Sequence, residues 1–242
     1  RSITGVDGNA ALNISVPYKT SYTQNILSVE SSINIKGGTS NTSIGGAGVY
    51  GENFTLNNNG SVWGGDGYNG GIAVSGNKIS INNYRNVYGG NGLGGSGSSG
   101  GAGLSGDDII VDNYRSIYGG DDVGGTGGSG VTGSNITVHN SGGILGGNGV
   151  NGGDGINGSN LFITNDNMIS GGYGIKQGGD AISGNQITLN NNGIVQGGYG
   201  PDGGCSVYGE DIHINNHGNL SGLYNSQKDA YNTSIIFSGG YN

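Results

Sequence analysis

The nine residues from Asn82 to Gly90, Asn-Asn-Tyr-Arg-Asn-Val-Tyr-Gly-Gly, return almost letter for letter from Asp112 to Gly120 as Asp-Asn-Tyr-Arg-Ser-Ile-Tyr-Gly-Gly. Looser copies close on Gly37-Gly38, Gly64-Gly65, Gly146-Gly147, Gly171-Gly172 and Gly197-Gly198, with a worn one at Gly222, at intervals of 25 to 30 residues. A period of that length means one structural unit stacked many times, and this constrains the fold more than any other property of the chain.

Within the repeat the offsets are rigid. Seven units open on a glycine pair, beginning at Gly45, Gly70, Gly100, Gly127, Gly152, Gly178 and Gly203. An apolar residue follows (Val49, Val74, Leu104, Val131, Ile156, Ile182, Val207), then a lone glycine, then an alternating apolar pair such as Ile109/Val111 or Ile136/Val138. Next comes an asparagine (Asn58, Asn83, Asn113, Asn140, Asn165, Asn191, Asn216), and last a closing apolar residue such as Val87 or Ile117. Only the segment between each closing pair and the next opening pair varies, from four to nine residues. Insertions at a single site are what a coil tolerates in a surface loop.

Short bursts of apolar alternation between glycines are strand periodicity, and a helix so rich in glycine would be unstable. Three short strands per turn, stacked in parallel about 4.8 Å apart, satisfy the offsets. The chirality rule for parallel crossovers makes the winding right-handed. The expected fold is therefore all-β, a right-handed parallel β-helix of eight or nine coils. Residues 1–36 read as an irregular capping coil, 37–222 as regular coils and 223–242 as an irregular last coil. Four apolar columns fill the interior, each buried side chain stabilising by roughly 1.5–3 kcal/mol. An asparagine present in every unit is expected to be structural, a ladder of stacked amides at a buried corner.

The 59 glycines lack the triplet period of collagen and need a local reason, either sharp corners or close backbone approach. A net charge of −8 with only eight basic residues argues against nucleic acid and anionic membrane surfaces as partners. One cysteine, Cys205, excludes an internal disulfide, and no Cys/His cluster has zinc spacing. No apolar run is long enough to span a bilayer as a helix. Opening on Arg1, without Met or a signal peptide, the chain reads as a processed or excised segment.

β-Helices also carry polysaccharide lyases and hydrolases, which need carboxylates converging on one face. The densest acidic group is Asp107, Asp108, Asp112, Asp121 and Asp122. These fall at a corner and in the variable loop, so they read as solvated turn carboxylates, with a calcium site the weaker reading. His139, His213 and His217 have no nucleophile at a suggestive spacing. The Gly-Gly-x-Gly runs lack both the nine-residue period and the aspartate of the calcium-binding nonapeptide. No catalytic residue, metal or cofactor is assigned.

The position before each closing glycine holds Lys36, Trp63, Tyr88, Tyr118, Leu145, Ser170, Gln196 and Ser221. Its neighbours point inward, so by strand alternation these point outward. Trp63, Tyr88 and Tyr118 should form an aromatic column on successive coils, beside Tyr84-Arg85 and Tyr114-Arg115 at the adjacent corner. Such a column either stabilises the sheet by stacking or binds a ligand. The like-charged Arg85 and Arg115 call for an acidic group or ligand to answer them. The candidate binding residues are therefore Trp63, Tyr84, Arg85, Tyr88, Tyr114, Arg115 and Tyr118.

From Gly37 to Gly240 the coil bounded by Gly-Gly, the single cysteine and the surface rich in Asn, Ser and Thr resemble passenger domains of autotransporter adhesins, particularly the self-associating type. The resemblance implies type V secretion from a Gram-negative bacterium and extracellular display on its outer membrane. It implies a role in cell aggregation, biofilm formation or host attachment, with another copy in trans or a host glycan or matrix protein as partner. A translocator β-barrel normally follows such a passenger. The Gly-Asp-Ser-Gly protease motif of some autotransporters is absent, which favours an adhesin. A polysaccharide-processing enzyme and a passive stalk are the alternatives.

Overall fold

The computed structural model describes residues 1–14 and 25–222, together with the backbone of Ile235–Ser238. Its elements are all strands, paired in parallel throughout, and they form a β-solenoid. The short wall is a sheet of nine three-residue strands, one per turn, so eight steps separate its ends. The long wall carries the other conserved half of each unit. In the later coils it is one ten-residue strand, as in Leu104–Asn113, Val131–Asn140 and Ile156–Asn165. In the coils before these it breaks in two, Val49–Gly51 with Phe54–Asn58 and Val74–Ser75 with Ile79–Asn83.

In the two walls, register between coils follows the sequence offsets without slippage, whereas it shifts along the strands Asp122–Thr126, Gly149–Asn151 and Gly174–Gln177. Ile109 lies over Ile79 and under Ile136, and Val111 over Ile81 and under Val138. Strands within the first 36 residues continue both sheets: Asn34–Lys36 pairs with Ser61–Trp63, and Asn25–Val29 with Phe54–Asn58. At the other end Ile235–Ser238 pairs with the long wall at Ile212–Asn215. The closing Gly239-Gly240 corner and the rest of 223–242 lie outside the described residues.

The apolar columns form one continuous core from Val29 to Ile214. Val207 and Leu220, in the last regular coil, are partly buried and packed against it. The asparagines form the expected ladder. Asn58, Asn83, Asn113, Asn140, Asn165 and Asn191 are at most 1% exposed. Each donates from Nδ2 to Oδ1 of the next asparagine at 2.7–2.8 Å, ending on Asn216. Each also turns Nδ2 towards a carbonyl across the corner, as Asn140 does to Met168 at 3.0 Å. A polar column so fully bonded along its length costs little to bury and fixes the stacking register.

The glycine pairs have a different role from a corner. Within a coil the closing pair lies against the opening pair, backbone to backbone. Gly128 donates to the Gly120 carbonyl, Gly147 to Gly128, Gly153 to Gly147 and Gly172 to Gly153, each at 2.8 Å. This zigzag of amides runs unbroken from the Gly46–Gly38 bond to the Gly204–Gly198 bond. A Cβ on Gly119 would stand 1.8 Å from the Gly128 oxygen, and one on Gly120 would stand 1.9 Å from the Gly90 oxygen. No side chain fits between the two strings.

The pinch cuts the variable loop off from the apolar core, so that it projects as a spur. A small third sheet runs along the spur in three coils, from Asp122–Thr126, Gly149–Asn151 and Gly174–Gln177. Three strands per turn therefore arise in two ways among the described residues, from the broken long wall in the coils at Val49–Trp63 and Val74–Tyr88 and from the spur strand in these three coils. A second local device bends the long wall two residues after the lone glycine. Asn53, Lys78, Asp108, Asn135, Asn160, Gln186 and Asp211 all adopt left-handed φ between 52° and 56°. Five of the seven are Asn or Asp, the residues that tolerate this region best after glycine.

Candidate functional site

The outward column of the short wall stacks as its spacing predicts: Lys36 pairs in register with Trp63, Trp63 with Tyr88, Tyr88 with Tyr118 and Tyr118 with Leu145. Trp63 and Tyr88 lie with ring centroids 3.9 Å apart and Tyr88 and Tyr118 at 5.0 Å, both nearly parallel. Tyr88 is half-buried, and its hydroxyl accepts from Asn86 Nδ2 at 2.8 Å. Burial, then the neighbouring Tyr118, push the Tyr88 phenol pKa up, and the Asn86 bond partly offsets them. Rings stacked in this way cover one another's faces and present mainly their edges.

Tyr84 and Tyr114 form a second stack, centroids 5.0 Å apart and planes within 1°. They stand with Arg85 and Arg115 at the bend before the short wall, all four exposed. Among the described residues neither guanidinium is in an ion pair. The seven candidate residues thus occupy two columns, of which that of Trp63, Tyr88 and Tyr118 lines a concave surface.

That surface is a groove of about 480 Å³ running along the coils where the short wall meets the spur. One side is the aromatic column. The other is the residue just past each closing glycine pair: Asp66, Asn91, Asp121 and Asn148. Glycines, including Gly119, Gly120 and Gly146, form its floor. The spur-side residues make a ladder of their own through backbone amides. Asp66 Oδ1 accepts from Asn91 N–H at 2.9 Å, Asn91 Oδ1 from Asp121 N–H at 3.1 Å and Asp121 Oδ1 from Asn148 N–H at 2.6 Å. Asn148 Oδ1 accepts in turn from Tyr173 N–H at 2.9 Å. Lys36 Nζ is bound to Asp66 Oδ2 at 2.9 Å.

A further exposed feature, not anticipated from the sequence, runs along the spur. Gly67, Gly92, Asp122, Gly149 and Gly174 are in register along the spur. The residues after them are Tyr68, Leu93, Val123, Val150 and Ile175. Val123 is 84% exposed, Leu93 65%, Ile175 55% and Tyr68 42%, while Val150 between Val123 and Ile175 is half-buried. An apolar side chain at the spur tip on successive coils is a ridge, unlike the scattered single residues of an ordinary surface. The signal is there to find, since each stands three residues past the closing Gly-Gly.

The five aspartates go to separate partners. Asp107 accepts from Ser134, Asp108 from Asn135 Nδ2 at 2.9 Å, and Asp112 meets His139 Nδ1 at 2.9 Å. Asp121 belongs to the groove ladder. Asp122 is buried inside the spur, its Oδ1 accepting from the Gly124 and Gly125 amides. Among the described residues no three His, Cys, Asp or Glu side chains are grouped to hold a metal ion, and no helix is long and apolar enough to cross a membrane.

Comparison with family profiles, with curated proteins and with solved structures found no match to this chain.

Proposed function

We propose that this chain is an adhesive segment displayed on the outside of a Gram-negative cell, of the autotransporter-passenger kind, that joins cells without catalysis. Its partner is another copy in trans, met along the lateral faces of the coils. The observation that carries this reading is the spur ridge of Tyr68, Leu93, Val123 and Ile175. An acidic chain repels its own copies through most of its surface. A ridge without charged side chains is where two copies can approach and remove apolar area from water. Both copies share one coil spacing of about 4.8 Å, so side chains along one ridge stay in step with those of the other. The outward stack of Tyr84 and Tyr114, with Arg85 and Arg115 beside it, supplies a second lateral face with residue types that dominate interface energetics.

A polysaccharide-processing enzyme would need carboxylates aimed at one point, and the aspartates singled out above are spread over separate hydrogen-bond partners. The test uses the full-length protein on cells, with Leu93→Asp and Val123→Asp combined and surface display quantified. Both side chains are exposed, so the coil tolerates the change. Clumping should be lost at unchanged display. Clumping at the unmodified level would remove the ridge as the adhesive surface.

A further inference from the structure

We infer that the groove between the aromatic column and the spur is a binding site for a neutral, hydroxyl-rich glycan chain. This goes beyond the adhesive reading and does not depend on the ridge. The spur-side ladder leaves specific polar atoms over. Asn91 and Asn148 each commit Oδ1 to a backbone N–H of the next coil, which orients the amide and leaves Nδ2 facing out. Asp121 commits Oδ1 to the Asn148 N–H and leaves Oδ2. Along the groove the wall therefore offers donor, acceptor, donor, one group per coil and about 4.8 Å apart. The backbone bonds hold all three groups in place before any ligand arrives, which lowers the ordering cost of binding.

A sugar hydroxyl both donates and accepts, so a row of hydroxyls can satisfy alternating groups. A carboxylate or sulfate cannot donate to Asp121, and it meets the charges of Asp66 and Asp121. The one cation lining the groove, Lys36, is held by Asp66 at 2.9 Å. Arg85 and Arg115 lie outside the lining, so the cations that would select an acidic glycan are absent from this site. The opposite wall presents ring edges of Trp63, Tyr88 and Tyr118. Ring edges carry the positive end of the quadrupole and suit sugar oxygens. A volume of about 480 Å³ extending over several coils fits a short stretch of chain better than a single sugar.

Trp63 is the only tryptophan in the chain and lines the groove, so its emission reports occupancy directly. The purified chain is titrated with cellohexaose, chitohexaose and laminarihexaose, and separately with a heparin hexasaccharide. At least one neutral oligosaccharide should change Trp63 emission saturably, and the heparin fragment should not. Asn91→Ala and Asp121→Ala each remove the outward group, together with one bond to an exposed backbone amide. Each should weaken the neutral ligand about tenfold, the loss of one hydrogen bond. The Leu93→Asp/Val123→Asp chain should bind as the unmodified one does. A response to heparin alone, to none of the neutral oligosaccharides, or one untouched by both truncations overturns the inference. Cell clumping is read independently, so failure here leaves the adhesive reading standing, and lost adhesion leaves the groove standing.

Discussion

Val29 lies in register directly beneath Asn58, in the column that every later coil fills with asparagine. Asn58 donates upward to Asn83, but its own Oδ1 is buried without a partner. The amide ladder starts there with an unmade bond. Placing an asparagine at position 29 supplies the missing donor while giving up a buried valine. The two effects are of similar size, so Val29→Asn should change stability by no more than about 1 kcal/mol. Val111→Asn, in an apolar column with no amide to meet, should cost roughly 2–4 kcal/mol. Denaturant melts of the two variants check this. Equal losses would mean the asparagine column gains nothing from stacking.

The glycine pinch makes a sharper contrast. Gly120→Ala drives a methyl to 1.9 Å from the Gly90 oxygen and interrupts the amide zigzag, and it should cost about 3 kcal/mol or more or prevent folding. Gly95, on the longest spur loop, has no atom within 4 Å of where an alanine methyl would stand. Gly95→Ala should be neutral or stabilise by about 0.4–1 kcal/mol through the unfolded chain. Similar melting temperatures for the two variants would contradict the backbone-to-backbone packing.

At the left-handed bend, Lys78 occupies with φ 55° a position that Asn53, Asn135 and Asn160 fill in other coils. Lysine tolerates that region less well than asparagine, so Lys78→Asn should raise stability by about 0.5–1 kcal/mol. A lower melting temperature would show that the lysine side chain makes a compensating contact.

The ladders were legible because their residues keep a fixed offset and a fixed type: Asn113 could be placed from Asn83 and Asn140 alone. The aromatic column was legible for the same reason, through Val87 and Ile117 pointing inward beside Tyr88 and Tyr118. The pinch was not. A Gly-Gly pair is equally compatible with a corner and with a close approach, and only the zigzag from Gly120 to Gly128 separates the two. The groove needed that distinction, since its far wall, Asp121 and Asn148, is brought opposite the rings by the pinch. The apolar ridge escaped notice because Leu93 and Val123 stand alone in loops of unequal length. Their common distance from the closing glycines becomes meaningful once the loops are known to stack.

Whether the spur ridge joins one copy to another can be read from purified components alone. Beads coated with the chain should aggregate, and beads coated with Leu93→Asp/Val123→Asp at equal density should stay dispersed. Mixing the two kinds should give fewer and smaller clusters than the unmodified beads alone. Aggregation of the double variant to the unmodified extent would contradict the account.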